Sequence, residues 1–151
     1  MPRLTLESPL GRLTLFEEDG ALAALDWGGK RASGEPTPLL RRAKRQLDLY
    51  FAGKLTEFDL PLAPRGSAFE RRVWRLMAEI PYGETRSYGD LAAALAAAPR
   101  AVGQACGRNP LPILIPCHRV LAAGGALGGY SGGRGVDTKR RLLILEGALL
   151  V

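Results

Sequence analysis

Histidine and cysteine are almost missing from this 151-residue chain, which holds one histidine, His118, and two cysteines, Cys106 and Cys117. Two cysteines build no disulfide framework, and a reducing compartment suits them better. Two cysteines and a histidine within thirteen residues match no standard zinc spacing, so no metal is expected. Long apolar runs are missing too: none approaches the ~20 residues of a membrane span. The N-terminus MPRLTLESPLG alternates polar with apolar residues and has no signal-peptide core. A cytoplasmic protein without membrane contact is therefore expected. The chain is 46% hydrophobic and 24% charged, which suits one globular domain or two small ones.

Acidic residues are scarce in one half only. Residues 1–62 carry nine Lys/Arg and nine Asp/Glu, whereas residues 63–151 carry twelve and six and so hold the whole net charge of +6. A basic back half fits a polyanion, although an ordinary arginine-rich surface would have the same composition.

The front reads as a strand meander over residues 3–27. RLTLES, GRLTLFEED and ALAALDWG are punctuated by Ser8-Pro9, Asp19-Gly20 and Gly28-Gly29. PLLRRAKRQLDLYFAG then sets Leu39, Leu40, Ala43, Leu47, Tyr50 and Phe51 on one helical face, closed by Gly53. FDLPLAPRG predicts a last extended piece and a linker, so residues 1–62 form a small α/β unit without a titratable cluster.

Residues 63–151 begin with a capping box, Ser67 with Glu70, ahead of Phe69, Val73, Leu76, Met77 and Ile80 at helical spacing. Ser87 and Asp90 form a second box before YGDLAAALAAA, and Pro99 opens PRAVGQACGRN. Two short helices and a tight turn make a helix-turn-helix, a shape shared with plain helical hairpins. In the second helix Arg100, Gln104 and Arg108 share a face, while Ala101, Gly103, Ala105 and Gly107 keep the body slim. Such a helix can approach a DNA groove closely or simply pack tightly on its neighbour.

The only histidine directly follows Cys117 in NPLPILIPCHRV. Buried cysteines are mostly inert small hydrophobes. A neighbouring imidazole changes that balance, because a thiol needs a base to become a nucleophile. The apolar residues predict a short buried strand that carries Cys117 into a cleft. Adjacent strand residues face opposite ways, so the pair sits at a bend or communicates through a water.

FERRVWRLMAEIPYGETRSYGDLA, AVGQACGRNP, IPCHRV, GGYSGG and KRRLLILEG occur in the order and spacing of the methylated-DNA–protein-cysteine methyltransferases. The resemblance to this family, the O6-alkylguanine-DNA alkyltransferases, runs from Ser67 to Gly147. Residues 1–62 resemble its companion domain more loosely, through SPLGRLTL and RQLDLYFAGKLTEFDLPL. That stretch has no Cys or His, so the zinc of some relatives would have no ligands. The implied fold class is α+β: a small α/β, ribonuclease-H-like domain, then a mostly helical domain with a winged-helix-like helix-turn-helix.

The resemblance implies single-turnover repair without a cofactor. Cys117 would take the alkyl group from O6-alkylguanine flipped out of double-stranded DNA, with O4-methylthymine as a second substrate. His118 would act as base through a water and Glu146 would orient it. Tyr88 would donate towards the base and meet the phosphate beside it. Asn109 would hold the turn before the active-site segment. Cys106, Pro112, Val120, Tyr130 and Ser131 would shape the pocket. Arg100 matches the finger that fills the flipped base's place, with Ala101, Gly103, Gln104 and Arg108 along the minor groove. A monomer is expected.

Two features depart from the family. The turn in LAAALAAAPR looks about two residues shorter than usual, and Cys106 stands where relatives often carry a larger residue, which would admit bulkier alkyl groups. The main rival is an alkyltransferase-like protein that binds the lesion without repairing it. Such proteins carry another residue at the position of Cys117. A Cys-His hydrolase would need an oxyanion hole, and a transcription factor would not need a buried Cys-His-Glu set.

Overall fold

Leucine alternation in the first residues becomes an antiparallel meander, β1 (Arg3–Ser8), β2 (Gly11–Glu18) and β3 (Ala21–Trp27), in that spatial order. Leu4 pairs with Leu15 and Leu6 with Leu13, so one face of the first hairpin is leucine throughout. The register slips at Phe16/Glu17, which leaves Ala23 as an extra residue in β3. That bulge lets Leu22 and Leu25, three apart, both be buried. The protein is described by a computed structural model covering residues 1–32 and 34–150.

Helix α1 (Pro38–Phe51) starts where Thr37 accepts from the Leu40 amide at 3.1 Å and Pro38 occupies the first turn. Leu40, Ala43, Leu47 and Tyr50 are its buried face, against β1 and β2. Leu39 and Phe51, expected on that face, are only partly buried at its flanks. The extended piece predicted after the helix pairs with β3 at one point, Leu22 beside Leu62. These elements form one compact unit, Met1–Arg65; a second spans Gly66–Val151.

In the second unit both predicted capping boxes are present, Ser67–Glu70 on α2 (Ala68–Ala78) and Ser87–Asp90 on α3 (Tyr88–Leu95). α2 buries Val73, Trp74 and Met77, and the Trp74 indole donates to the Ala105 carbonyl of α4 (Pro99–Gly107) at 2.8 Å. α3 stops earlier than its alanine run predicts, because Ala96 turns left-handed (φ 51°) and Ala97 closes back on Ala92. Pro99 then opens α4, completing the helix-turn-helix. The parallel pair β4 (Arg86–Ser87) and β5 (Val120–Leu121) ties the start of α3 to the segment after Cys117. α5 (Val136–Leu145) ends at Glu146.

The strand expected to deliver Cys117 does not form. Pro110, Pro112 and Pro116 offer no amide, and Ile113 sits at φ 73°. The Leu114 amide donates across Ile113 to Pro112, and the Cys117 amide across Pro116 to Ile115, each at 2.8 Å. These are γ-turns, and the first is of the strained positive-φ kind. Asn109 clamps the loop: its amide donates to Ile115 O at 2.8 Å and its carbonyl accepts from Leu111 N at 3.0 Å. Cys117–Arg119 is then one turn of 3₁₀ helix, so the cysteine and histidine lie at a bend.

Candidate active site

A cavity of about 450 Å³ opens between the start of α3, the α4 helix, Cys117 and the glycine-rich loop. Tyr88, Cys106, Cys117, Tyr130 and Ser131 line it, together with Gly103, Gly107 and Gly129. Tight helix packing does not account for the α4 glycines: a Cβ at Gly103 or Gly107 would meet no atom within 4 Å. Their small size keeps the cavity open. Ala105, by contrast, is buried, and its carbonyl accepts from Trp74.

The two thiols in this cavity differ. Cys106 has its Sγ 3.3 Å from Met77 Sδ, and burial pushes its pKa up to about 12. Burial raises Cys117 as well, but the neighbouring Asn109 side chain, the positive charge of Lys139 and the Tyr130 hydroxyl all favour its thiolate. Cys117 at rest is therefore a thiol, with groups close by that favour its anion.

Behind it lies a buried ion cluster. His118 Nε2 is 2.8 Å from Glu146 Oε2, and neither side chain has exposed surface. A carboxylate there fixes the neutral tautomer, with hydrogen on Nε2 and a lone pair on Nδ1. Nδ1 is buried with no hydrogen-bond partner among the described residues. Burial lowers the histidine's pKa, Glu146 opposes that, and Arg119 and Lys139 add to it.

Two members of the cluster escape the sequence argument. Arg119 forks onto Glu146, Nε to Oε1 at 2.8 Å and Nη2 to Oε2 at 2.9 Å, while Nη1 reaches Ile80 O at 2.6 Å. Lys139 is fully buried, and its ammonium donates to Val120 O at 2.7 Å, to Gly129 O at 3.3 Å and to Leu127 O. It thereby pins the glycine-rich loop to β5. The signals existed: Arg119 lies with His118 between two apolar stretches, and Lys139 shares a helical face with Leu142 and Glu146.

Other predicted residues fall as follows. Tyr88 is half-buried at the first turn of α3, its pKa pushed to about 12 by burial and then by the nearby thiols, so it remains a phenol. Ser131 Oγ donates to Gly107 O at 3.3 Å and so links the loop to α4. Arg100 and Gln104 are exposed on α4, Ala101 is partly exposed, and Arg108 makes a loose 3.5 Å pair with Glu70. Pro112 and Val120 are buried and are not among the cavity walls. Among the described residues no group of three His, Cys, Asp or Glu side chains could hold a metal. No described helix is long and apolar enough to cross a membrane.

A helix-turn-helix with a slim second helix, beside a cavity-lining thiol followed in sequence by a buried His–Glu pair, defines a protein of the DNA-alkyltransferase class. Residues 3–64 match the ribonuclease-like domain of 6-O-methylguanine DNA methyltransferase, and residues 68–148 match its DNA-binding domain. The chain belongs to that family, and its fold is the α+β arrangement the sequence predicts. It is 49% identical over 150 residues to the methylated-DNA–protein-cysteine methyltransferase of Mycolicibacterium paratuberculosis, covering 94% of this chain and 90% of that protein. The constitutive enzyme of that name from Bacillus subtilis is 44% identical over 154 residues, with 94% and 93% covered. The crystal structure of Mycobacterium tuberculosis OGT in complex with DNA aligns with a TM-score of 0.86 at 48% identity, covering 97% of this chain and 92% of that one.

Proposed function

We propose that this protein repairs DNA by direct reversal, moving the alkyl group of O6-alkylguanine onto Cys117. The observation that carries this is a thiol in an open cavity, backed by a neutral imidazole whose far nitrogen is held by a carboxylate. His118 Nδ1, through one water, takes the thiol proton. The thiolate sulfur attacks the alkyl carbon, the carbon–O6 bond breaks, and the thiol's proton ends on guanine. Tyr88 and the loop residues Tyr130 and Ser131 donate towards the base as negative charge develops on it. The product thioether is stable, so each molecule acts once.

The substrate is double-stranded DNA with the lesion flipped out through the minor groove. The exposed side chains Arg100 and Gln104, the small Ala101 and Gly103, and Arg108 support a close approach of α4 to that groove. Arg100 fills the space the base leaves, and Asn109 acts by holding the γ-turn loop under Cys117. The protein works as a monomer, with residues 1–62 as a companion domain and 63–151 carrying DNA binding and alkyl acceptance. Relatives named methylated-DNA–protein-cysteine methyltransferase, and a relative crystallised with DNA, support this over a lesion-binding protein without transfer.

Intact mass after incubation with duplex DNA containing O6-methylguanine tests the proposal. One added methyl, mapped to Cys117 and saturating at one per protein, is expected, and Cys117→Ser should bind the duplex without mass gain. Binding by the native protein with no mass gain would overturn it. Cys106→Met should slow benzyl transfer more than methyl transfer; an unchanged ratio would remove Cys106 as the reason for a wide pocket.

A further inference from the structure

We infer that Arg119 is a positioning residue whose charge keeps His118 in its neutral, proton-accepting form; this rests on the alkyl-transfer function proposed above. Three of its donors are committed, two to the Glu146 oxygens and one to Ile80 O. Its guanidinium also lies 5.8 Å from the centre of the Tyr82 ring, and Tyr82 OH donates to Leu145 O at 3.2 Å, beside Glu146. The arginine is thus held by three hydrogen bonds and one ring, and its side chain is only 8% exposed.

The consequence is one of charge balance. With His118 neutral, Glu146 and Arg119 cancel, so the His118–Glu146–Arg119 triad carries no net charge, and the buried Lys139 ammonium lies outside it on three carbonyls. Delete the arginine's charge, and a carboxylate is left buried against an imidazole. That pair binds a proton readily, because a lone buried anion is costly. A histidine already holding a proton cannot take the one on Cys117. Glu146 alone would therefore spoil the base it orients, and Arg119 prevents this. The other charged group acting on the imidazole is Lys139 from α5; Cys117 precedes His118 on the same 3₁₀ turn. Lys139 also disfavours imidazolium, and its ammonium is tied to the Val120, Leu127 and Gly129 carbonyls.

The chain has a single histidine, so in tag-free protein the imidazole nitrogen signals report His118 alone. Three variants are compared with the native protein, by nitrogen NMR across pH and by single-turnover methyl transfer. Arg119→Gln keeps a donor but loses the charge. Its His118 should protonate at higher pH than in the native protein, with transfer about tenfold or more slower at neutral pH and recovering in alkali. Arg119→Lys keeps the charge but loses the fork, so its histidine should titrate as in the native protein while transfer slows at all pH. Arg119→Gln with Glu146→Gln removes both ions bonded within the triad and leaves only the Lys139 ammonium, which disfavours imidazolium, so its histidine should again stay neutral. A purely structural role would leave the histidine titration of Arg119→Gln unchanged, and that result would overturn the inference. Should Arg119→Gln not fold, Glu146→Gln with and without Arg119→Gln reads the same charge, and equal titrations would overturn it. The NMR readout needs no alkyl transfer. A native protein that gains no methyl therefore counts against the proposed function and leaves the Arg119 result standing by itself.

Discussion

Among the described residues of Met1–Arg65 the buried polar side chain is Thr14, whereas in the second unit His118, Arg119, Thr138, Lys139 and Glu146 are all buried. Charges in the first unit meet at the surface instead, as Arg12 with Glu7 at 2.9 Å and Lys44 with Asp48 at 2.8 Å. The backbones differ in the same sense. Asp19, the non-glycine positive-φ residue of the first unit, sits in a hairpin turn, but the second unit holds buried, β-branched Ile113 there, four residues before Cys117. The first unit follows the ordinary rules of a leucine-faced sheet under a capped helix. The second keeps buried ions and a strained turn, features that cost stability and are gathered around one thiol.

The sharpest way to break this contrast is to remove one carboxylate from each unit. Glu146→Ala leaves Arg119 buried without its anion, and a loss of about 3–5 kcal/mol is expected. Asp48→Ala removes half of an exposed pair and should cost under about 0.5 kcal/mol. Trp27 lies in the first unit and Trp74 in the second, so denaturant unfolding of Trp27→Phe and Trp74→Phe backgrounds separates the two. Equal losses would mean that the buried cluster carries no special energetic weight.

Acid sharpens the same comparison. His118 has a folded pKa below its ordinary 6.5 because burial disfavours the imidazolium. The unfolded chain therefore binds the proton first as pH falls. Stability of the second unit should be complete above the unfolded value and decline below it, with the slope ending at the lowered folded value. The slope from this group cannot exceed about 1.4 kcal/mol per pH unit. His118→Asn should flatten the second unit's stability curve in that window and leave the first unit's curve unchanged. A slope that survives the substitution would assign the acid sensitivity to other groups.

What the sequence made legible follows the same division. The meander, α1 and both capping boxes are local patterns of period, cap and turn, and they came through, although the Thr37 cap of α1 escaped the sequence argument and Leu39 and Phe51 lie at the flanks of its buried face. So did the partnership of His118 with Glu146, because motif resemblance paired residues 28 apart. Segment 109–117 did not. Apolar residues there predicted a strand, but three prolines and the Asn109 clamp consume the amides that a ladder would use. Arg119 and Lys139 escaped because charge is normally a surface signal, and only tertiary contact shows that both face inward.

Gly103 ties stability to function most directly. A Cβ there has open space and the helix gains propensity, so Gly103→Ala should stabilise the second unit by about 0.5–1 kcal/mol. The same methyl projects towards the cavity that Gly103 lines and onto the face of α4 proposed to meet DNA, so transfer from duplex should slow. Thermal unfolding beside single-turnover rates checks both. A variant that gains stability without losing rate would show that the glycine is not kept for the cavity.

Ala96 offers the smallest effect and a control. It is exposed and left-handed at φ 51°, and it closes α3 where glycine is the usual residue. Ala96→Gly relieves the Cβ clash of that conformation, while glycine loses more backbone freedom on folding, so the net gain should be about half a kcal/mol. Because Ala96 is exposed and is not among the residues lining the cavity, transfer should be unchanged. If both Gly103→Ala and Ala96→Gly stabilise and only the first slows transfer, the strain at Ala96 belongs to helix termination. The costs near Cys117 are then separable from it. A fall in rate with Ala96→Gly would instead make the angle between α3 and α4 part of the site, and the short turn after Leu95 would matter for more than topology.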